Sequence, residues 1–107
     1  MNNRFYTLDD FQIACYGWSK KTGLHDGTTV EKQCLKLASE CGEACDAFLK
    51  GERDKGIMDL GDCLVVIANI CNKLDVELED VTGAVFEKIN GRVGRGKITN
   101  GTFVKEG

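Results

Sequence analysis

The chain has 107 residues, of which 42% are apolar and 29% charged, so it is expected to form one folded domain, residues 1–107, rather than a disordered segment. The net charge is −3, and the acidic excess lies before residue 88, which argues against binding duplex nucleic acid. Because the longest apolar run is only residues 63–68, and the first twenty residues lack a secretion signal, we expect a cytoplasmic protein without a membrane partner.

The pattern of apolar and capping residues, with no proline, predicts an all-α bundle of four helices. The first helix begins at Thr7 and ends before Gly23, and residues 23–27 form a loop. The second helix begins with a capping box of Thr28 and Glu31. The predicted apolar stripe of the first helix is Leu8, Phe11, Cys15 and Trp18, and that of the second is Val30, Cys34, Leu37, Cys41, Ala44, Cys45 and Phe48.

The second helix is predicted to end at Gly51, because glycine tolerates the left-handed backbone that closes many helices. The third helix covers roughly residues 54–73 and is apolar nearly all round, which predicts the most buried helix. Asp75 is the expected N-cap of a fourth helix over about 76–89. Its expected inward residues are Leu78, Val81, Val85 and Ile89. The glycines in residues 91–107 predict an irregular tail that is either flexible or extended.

Six cysteines fall within the predicted helices, at positions 15, 34, 41, 45, 63 and 71. A zinc site is not expected, because the chain lacks a Cys-x-x-Cys pair and His25 is its only histidine. A disulfide framework is disfavoured because the first twenty residues show no secretion signal and the cysteines fall within helical apolar patterns. We therefore interpret the cysteines as small buried side chains with reduced thiols.

Two pairs of carboxylates are the most informative feature of the sequence. Glu40 and Glu43 lie three residues apart on the second helix, and Asp59 and Asp62 repeat this spacing on the third. The two pairs are mirrored about Gly51, so an antiparallel hairpin places Glu40 level with Asp62 and Glu43 level with Asp59. Four converging carboxylates repel one another unless a cation or protonation compensates them.

The compensating group is either a lysine or arginine, a proton, or a divalent metal. Oxygen ligands alone favour Mg²⁺ or Mn²⁺. A di-iron centre is excluded, because it needs two Glu-x-x-His motifs and the chain has one histidine. Taken alone, either pair of carboxylates is better interpreted as solvated charge on a helix surface. The two pairs together are mirrored about the turn and lie within apolar segments, and this combination favours metal binding.

The segments 36–43 and 59–64 resemble the MazG-like, all-α nucleotide pyrophosphohydrolases, whose signature is Glu-Glu-x-x-Glu, a spacer and Glu-x-x-Asp. Ser39 replaces the first glutamate of that signature, and Asp59 replaces the later one. The resemblance implies a four-helix MazG-like fold with the site on its central hairpin. It also implies Mg²⁺-dependent hydrolysis of a nucleoside triphosphate to the monophosphate and pyrophosphate, in house-cleaning or control of the nucleotide pool.

In this interpretation Glu40, Glu43 and Asp62 bind the metal directly and Asp59 completes the cluster. Catalysis is assigned to Glu40 and Glu43, since one carboxylate takes a proton from the attacking water. Mn²⁺ is an expected substitute for Mg²⁺. The departures at Ser39 and Asp59 leave an alternative open, a non-catalytic helical protein that senses metal or nucleotide.

Further residues are candidates for substrate binding. Lys36 lies one turn before Glu40, where it either contacts phosphate or pairs with a carboxylate. Asn69 either contacts the nucleotide or bonds Gln33, its level partner across the hairpin. Trp18 is in a region where resembling proteins stack an aromatic on the base, although packing in the core is the favoured interpretation.

The end of the fourth helix and the residues after it are basic. Phosphate contacts and stabilisation of the helix C-terminus are both possible roles for them. The residues are Lys88, Arg92, Arg95 and Lys97.

The apolar surface of the third helix, together with the resemblance, also predicts a homodimer or a dimer of dimers.

Overall fold

The computed structural model describes residues 4–106, and these confirm a mostly helical fold. The helices are α1 (Leu8–Thr22), α2 (Leu24–Gly27), α3 (Val30–Leu49), α4 (Arg53–Leu74) and α5 (Leu78–Asn90), followed by β1 (Gly96–Thr99) and β2 (Thr102–Lys105). Long helices α3 and α4 pair along their length, α1 packs against α4, and α5 contacts α1. None of the helices in this part of the chain is long and apolar enough to cross a membrane.

The turn between α3 and α4 sets the register of the central hairpin. Gly51 has φ +79°, and the N–H of Glu52 donates to the carbonyl of Ala47 at 2.8 Å. This arrangement satisfies the last carbonyls of α3 and confirms the prediction that the helix ends at this glycine. Beyond the turn, the Phe48 ring covers Gly56, where an added Cβ would lie 2.7 Å from the ring.

Two helix starts differ from the predictions. Thr29, not Thr28, is the N-cap of α3, and its hydroxyl accepts a hydrogen bond from the N–H of Lys32 at 3.1 Å. Thr28 instead accepts a hydrogen bond from Gln33. The predicted loop over residues 23–27 contains the single-turn helix α2, which begins after Gly23. Two adjacent threonines compete for one cap position, and the sequence pattern alone does not separate them.

The beginning of α5 also corrects a prediction. Asp75 does not cap α5, because it adopts a left-handed backbone with φ +55° and ends α4. The amide of Gln12 on α1 performs the capping role: its Oε1 accepts a hydrogen bond from the N–H of Leu78 at 2.7 Å. Its Nε2 donates to the carbonyl of Val76 at 2.8 Å and to Asn72 at 2.9 Å. A buried side chain from α1 therefore joins the end of α4 to the start of α5.

Several predicted apolar faces are only partly buried. On α1 the buried residues are Gln12, Cys15 and Ser19, whereas Leu8 and Trp18 are exposed. On α5 only Leu78 is buried, and the predicted inward residues Val81, Val85 and Ile89 are exposed. Among the cysteines, positions 15, 63 and 71 are buried, and positions 34, 41 and 45 are exposed. The interpretation of all six as core residues was therefore wrong for three of them.

The chain after α5 is more regular than predicted. Strands β1 and β2 form an antiparallel hairpin in which Ile98 pairs with Phe103 and Thr99 with Thr102. Asn100 and Gly101 both have positive φ, which fits a tight two-residue turn. Residues 96–105 are therefore a two-stranded hairpin rather than an irregular tail.

The Gly56→Ala variant tests the close contact between Gly56 and the Phe48 ring next to the turn of the central hairpin. The new methyl group meets the Phe48 ring, so we expect this variant to be about 1 kcal/mol less stable than the wild type. Gly83→Ala is the matched control, because its position in α5 has open space around it. The control should gain about 0.5–1 kcal/mol from helix propensity. Urea unfolding measures both, and an equal gain in stability for the two variants would contradict the packing.

Candidate metal and nucleotide site

Three carboxylates from the two hairpin helices converge at one place. Oxygen atoms of Glu40, Glu43 and Asp59 all lie within 4.8 Å of one another. The side chains of Glu40 and Asp59 are buried, and that of Glu43 is exposed. An all-oxygen donor set of this kind fits a hard divalent ion such as Mg²⁺ or Mn²⁺. The hairpin therefore has a group of residues that could hold a metal.

Each buried carboxylate is paired with a lysine one turn earlier in its own helix. Lys36 Nζ lies 2.8 Å from Glu40, and Lys55 Nζ lies 2.7 Å from Asp59. The hydrogen bond to Glu40 and the charge of that carboxylate raise the pKa of Lys36, with further attraction from Glu43 and Asp62. The hydrogen bond to Asp59 likewise raises the pKa of Lys55. Both lysine side chains are more than half exposed, so they can move aside for a metal ion.

Asp62 is placed differently from the other three carboxylates. It is exposed and does not join the cluster of Glu40, Glu43 and Asp59. It lies instead in the lining of an adjacent pocket, which Glu40 also lines. The predicted four-carboxylate cluster is thus three carboxylates beside a fourth that faces the neighbouring cavity.

The adjacent pocket has a volume of about 520 Å³, within the range of small-ligand sites. Side chains of α3 and α4 form its long walls, and Trp18 and Leu24 close one side. Trp18 is 53% exposed, so its favoured placement in the core was wrong. The residues lining the pocket are Trp18, Leu24, Lys32, Gln33, Lys36, Glu40, Asp62, Val65, Val66 and Asn69.

Two amides lie in the pocket wall away from the carboxylates. Asn69 Nδ2 donates to Gln33 Oε1 at 3.5 Å, as expected for level partners across the hairpin. Gln33 Nε2 in turn donates to Thr28 Oγ1 at 3.0 Å. Asn69 is only 5% exposed, and within residues 4–106 its Oδ1 accepts no hydrogen bond. A buried acceptor without a partner is costly, so a ligand donor in the pocket would stabilise it.

The basic residues at the end of α5 belong to a different surface. Lys88, Arg92 and Arg95 line a separate groove with Phe103 and Lys105, and Lys97 lines a neighbouring one. The Arg92 guanidinium lies 5.4 Å from the centre of the Phe103 ring. Within the described part of the chain, none of these basic residues lines the pocket that holds Glu40.

Some residues of the site were not predicted from the sequence. Lys55 forms the ion pair that compensates Asp59, and its spacing of four residues matches that of Lys36 and Glu40. That repeated spacing is the signal that could have identified it. Lys32 also lines the pocket, and it lies four residues before Lys36 on the same face of α3. Leu24 lines the pocket as well, but its participation depends on how α2 packs, which no local pattern reveals.

The fold and the paired acidic helices define this protein as an all-α protein with a carboxylate site on its central hairpin. The sequence model of the MazG nucleotide pyrophosphohydrolase domain matches residues 28–95, so the chain belongs to the MazG nucleotide pyrophosphohydrolase family. This range contains α3, α4 and α5 and every carboxylate of the site.

A curated relative comes from Haemophilus phage HP1 (strain HP1c1), where it is described as an uncharacterized 18.2 kDa protein in the rep-hol intergenic region. It is 34% identical over 66 residues, which is 60% of this chain. The matched segment spans 40% of the relative's own length. No solved structure matches the chain significantly.

Glu40→Gln tests whether the acidic cluster binds a metal. Loss of one charged ligand should raise the dissociation constant for Mn²⁺ at least about tenfold, which corresponds to about 1.4 kcal/mol. Glu31→Gln, an exposed substitution in the first turn of the same helix, is the control and should leave the constant unchanged. Isothermal titration calorimetry measures both variants, and equal affinities would place the metal elsewhere.

Proposed function

We propose that this protein is a Mg²⁺-dependent nucleoside triphosphate pyrophosphohydrolase that releases pyrophosphate and a nucleoside monophosphate from ribo- or deoxyribonucleotides. Its role would be house-cleaning or control of the nucleotide pool. Membership of the MazG family supports the reaction class. The observation that carries the proposal is the convergence of carboxylates from α3 and α4 beside a pocket of about 520 Å³.

The residues that line the pocket support one orientation of the substrate. Glu40 and Asp62 line it together with Gln33 and Asn69, which lie seven residues away from them along α3 and α4, respectively. Seven residues correspond to about 10 Å at the helical rise, which is a suitable separation between a base and its phosphates. We therefore place the triphosphate at the carboxylates and the base between Trp18 and Asn69.

The metal would be held by Glu40, Glu43 and Asp59. Mg²⁺ in this position would neutralise negative charge on the polyphosphate as the anhydride breaks. A cation bound at Glu40 would replace the Lys36 ammonium in the present ion pair and would leave Lys36 unpaired in the pocket lining. There it can bind a phosphate oxygen, so the two roles predicted for Lys36 follow one another. Asp62 lines the pocket, and its carboxylate would hold a second divalent ion.

Glu43 is our choice for the carboxylate that receives the proton from water. Glu40 and Asp59 are buried, whereas Glu43 is exposed, so a carboxylate oxygen of Glu43 that is not bound to the metal would remain within reach of water. The water oxygen forms a bond to a phosphorus of the α–β anhydride, and the bond from that phosphorus to the bridging oxygen breaks. Pyrophosphate and the monophosphate leave, and the water proton passes to the carboxylate.

We also propose that the protein acts as a homodimer or a dimer of dimers. Leu60 and Leu64 lie one turn apart on α4, and each is 50% exposed in the single chain. Val81, Val85 and Ile89 form a similar exposed row on α5. Large apolar rows of this kind favour association of helices with a second copy.

Glu43→Gln tests the catalytic assignment by release of pyrophosphate from a panel of nucleoside triphosphates. At saturating Mg²⁺ we expect kcat to fall at least about 100-fold, because general-base catalysis contributes this much or more. Trp18→Ala should instead raise KM about tenfold with little change in kcat, since stacking on a base stabilises binding by about 1–3 kcal/mol. EDTA should abolish release by the wild type.

Glu31→Gln is the control for this assay and should retain wild-type kcat and KM. If the Glu43→Gln variant keeps a rate within a few fold of the wild type, the assignment of Glu43 is wrong. If the folded wild type binds Mn²⁺ yet releases no pyrophosphate from any nucleotide, the non-catalytic sensing function replaces the enzymatic one.

Leu64→Lys tests the proposed assembly. A charge within the apolar row of α4 should convert the dimer or tetramer to a monomer, because a buried unpaired ammonium is costly. Leu49→Lys, at an 88% exposed position at the end of α3, should keep the wild-type mass. Sedimentation equilibrium measures the masses. A monomeric wild type, or an unchanged mass in the first variant, would contradict the proposed interface.

A further inference from the structure

Two cysteine sulfurs face each other across the central hairpin. Cys41 Sγ on α3 lies 3.6 Å from Cys63 Sγ on α4. Cys41 is exposed, so a solvent-borne oxidant can reach it, whereas Cys63 is buried directly behind it. Elsewhere in residues 4–106, no other pair of cysteine sulfurs lies within hydrogen-bonding distance. The two thiols lie beside the acidic cluster, but neither is among the residues assigned to bind metal or nucleotide.

We propose that Cys41 and Cys63 are a modification site at which a peroxide forms a reversible disulfide between α3 and α4. A disulfide bond is about 2.05 Å long, so the sulfurs need to approach by only about 1.5 Å. The other exposed thiols, Cys34 and Cys45, lie on α3 without such a neighbour in the described chain. They provide matched tests of selectivity.

The chemistry takes place in two balanced steps. The sulfur of Cys41 displaces water from hydrogen peroxide and becomes a sulfenic acid. The sulfur of Cys63 then attacks that sulfenic sulfur, the S–O bond breaks, and a second water leaves with the thiol proton. Two thiols are thereby oxidised by two electrons and one peroxide is reduced. A dithiol reductant reverses the linkage through a mixed disulfide.

The position of the bond gives it a defined effect on the hairpin. Cys41 lies between Glu40 and Glu43 in the sequence, and Cys63 follows Asp62 directly. The disulfide therefore fixes the separation of α3 and α4 at the level of the acidic cluster. It also closes a loop of the chain over residues 41–63, which restricts the unfolded state and stabilises the folded one.

Peptide mapping of the full-length protein after treatment with hydrogen peroxide tests the site. Free thiols are alkylated and the protein is digested with trypsin without reduction. The expected product joins peptide 37–50, which contains Cys41 and Cys45, to peptide 56–73, which contains Cys63 and Cys71. Fragmentation of the joined peptide should place the bond at Cys41 and Cys63. Oxidation should also raise Tm by roughly 5–10 °C, and dithiothreitol should reverse the shift.

Substitutions at two exposed cysteines test whether the disulfide forms selectively at Cys41. Cys41→Ser should lose both the joined peptide and the shift in Tm, whereas Cys45→Ser, one turn further along α3, should retain both. Neither readout uses nucleotide or metal, so the result is independent of the proposed enzymatic function. Absence of the joined peptide in the oxidised wild type, its persistence in Cys41→Ser, or an unchanged Tm on linkage would overturn the proposal.

Discussion

The antiparallel pairing of α3 with α4 is the constraint on which the rest of this structure depends. It brings carboxylates from both helices within 4.8 Å of one another, and two of them are buried. Such an arrangement is unfavourable without compensation, because like charges repel strongly away from bulk water. Lysines 36 and 55 supply that compensation from one turn earlier in each helix. The hairpin thus keeps three carboxylates together, with two of them paired to lysines and the third, Glu43, exposed to solvent.

The smaller helices are arranged around this hairpin and complete the pocket. Helix α1 contributes Trp18 to the pocket, while its buried Gln12 ties the end of α4 to α5. The same helix therefore supports the fold on one side and the candidate site on the other. Because the Gln12 amide satisfies backbone groups at a helix start that lacks a side-chain N-cap, α5 is positioned by tertiary contact rather than by its own first turn.

The paired carboxylates and the end of α3 were predictable, because each depends on local spacing. Residues three apart share a face of a helix, and a glycine in the left-handed region ends one. The register of Gln33 with Asn69 follows from the same mirror relation about Gly51. The faces of α1 and α5 were not predictable in this way. Apolar periodicity indicates which residues share a face, but not whether another element covers that face.

The amino-acid sequence by itself determined the all-α class, the central hairpin and the family, since these depend on periodicity, capping and motif spacing along one chain. Only the tertiary structure decided that Asp62 faces the pocket while Asp59 joins the cluster. It also decided that Trp18 is exposed at the pocket, and that the basic end of α5 lines another groove. The physical reason is that these outcomes depend on the rotation and packing of whole helices, which short-range sequence patterns do not specify.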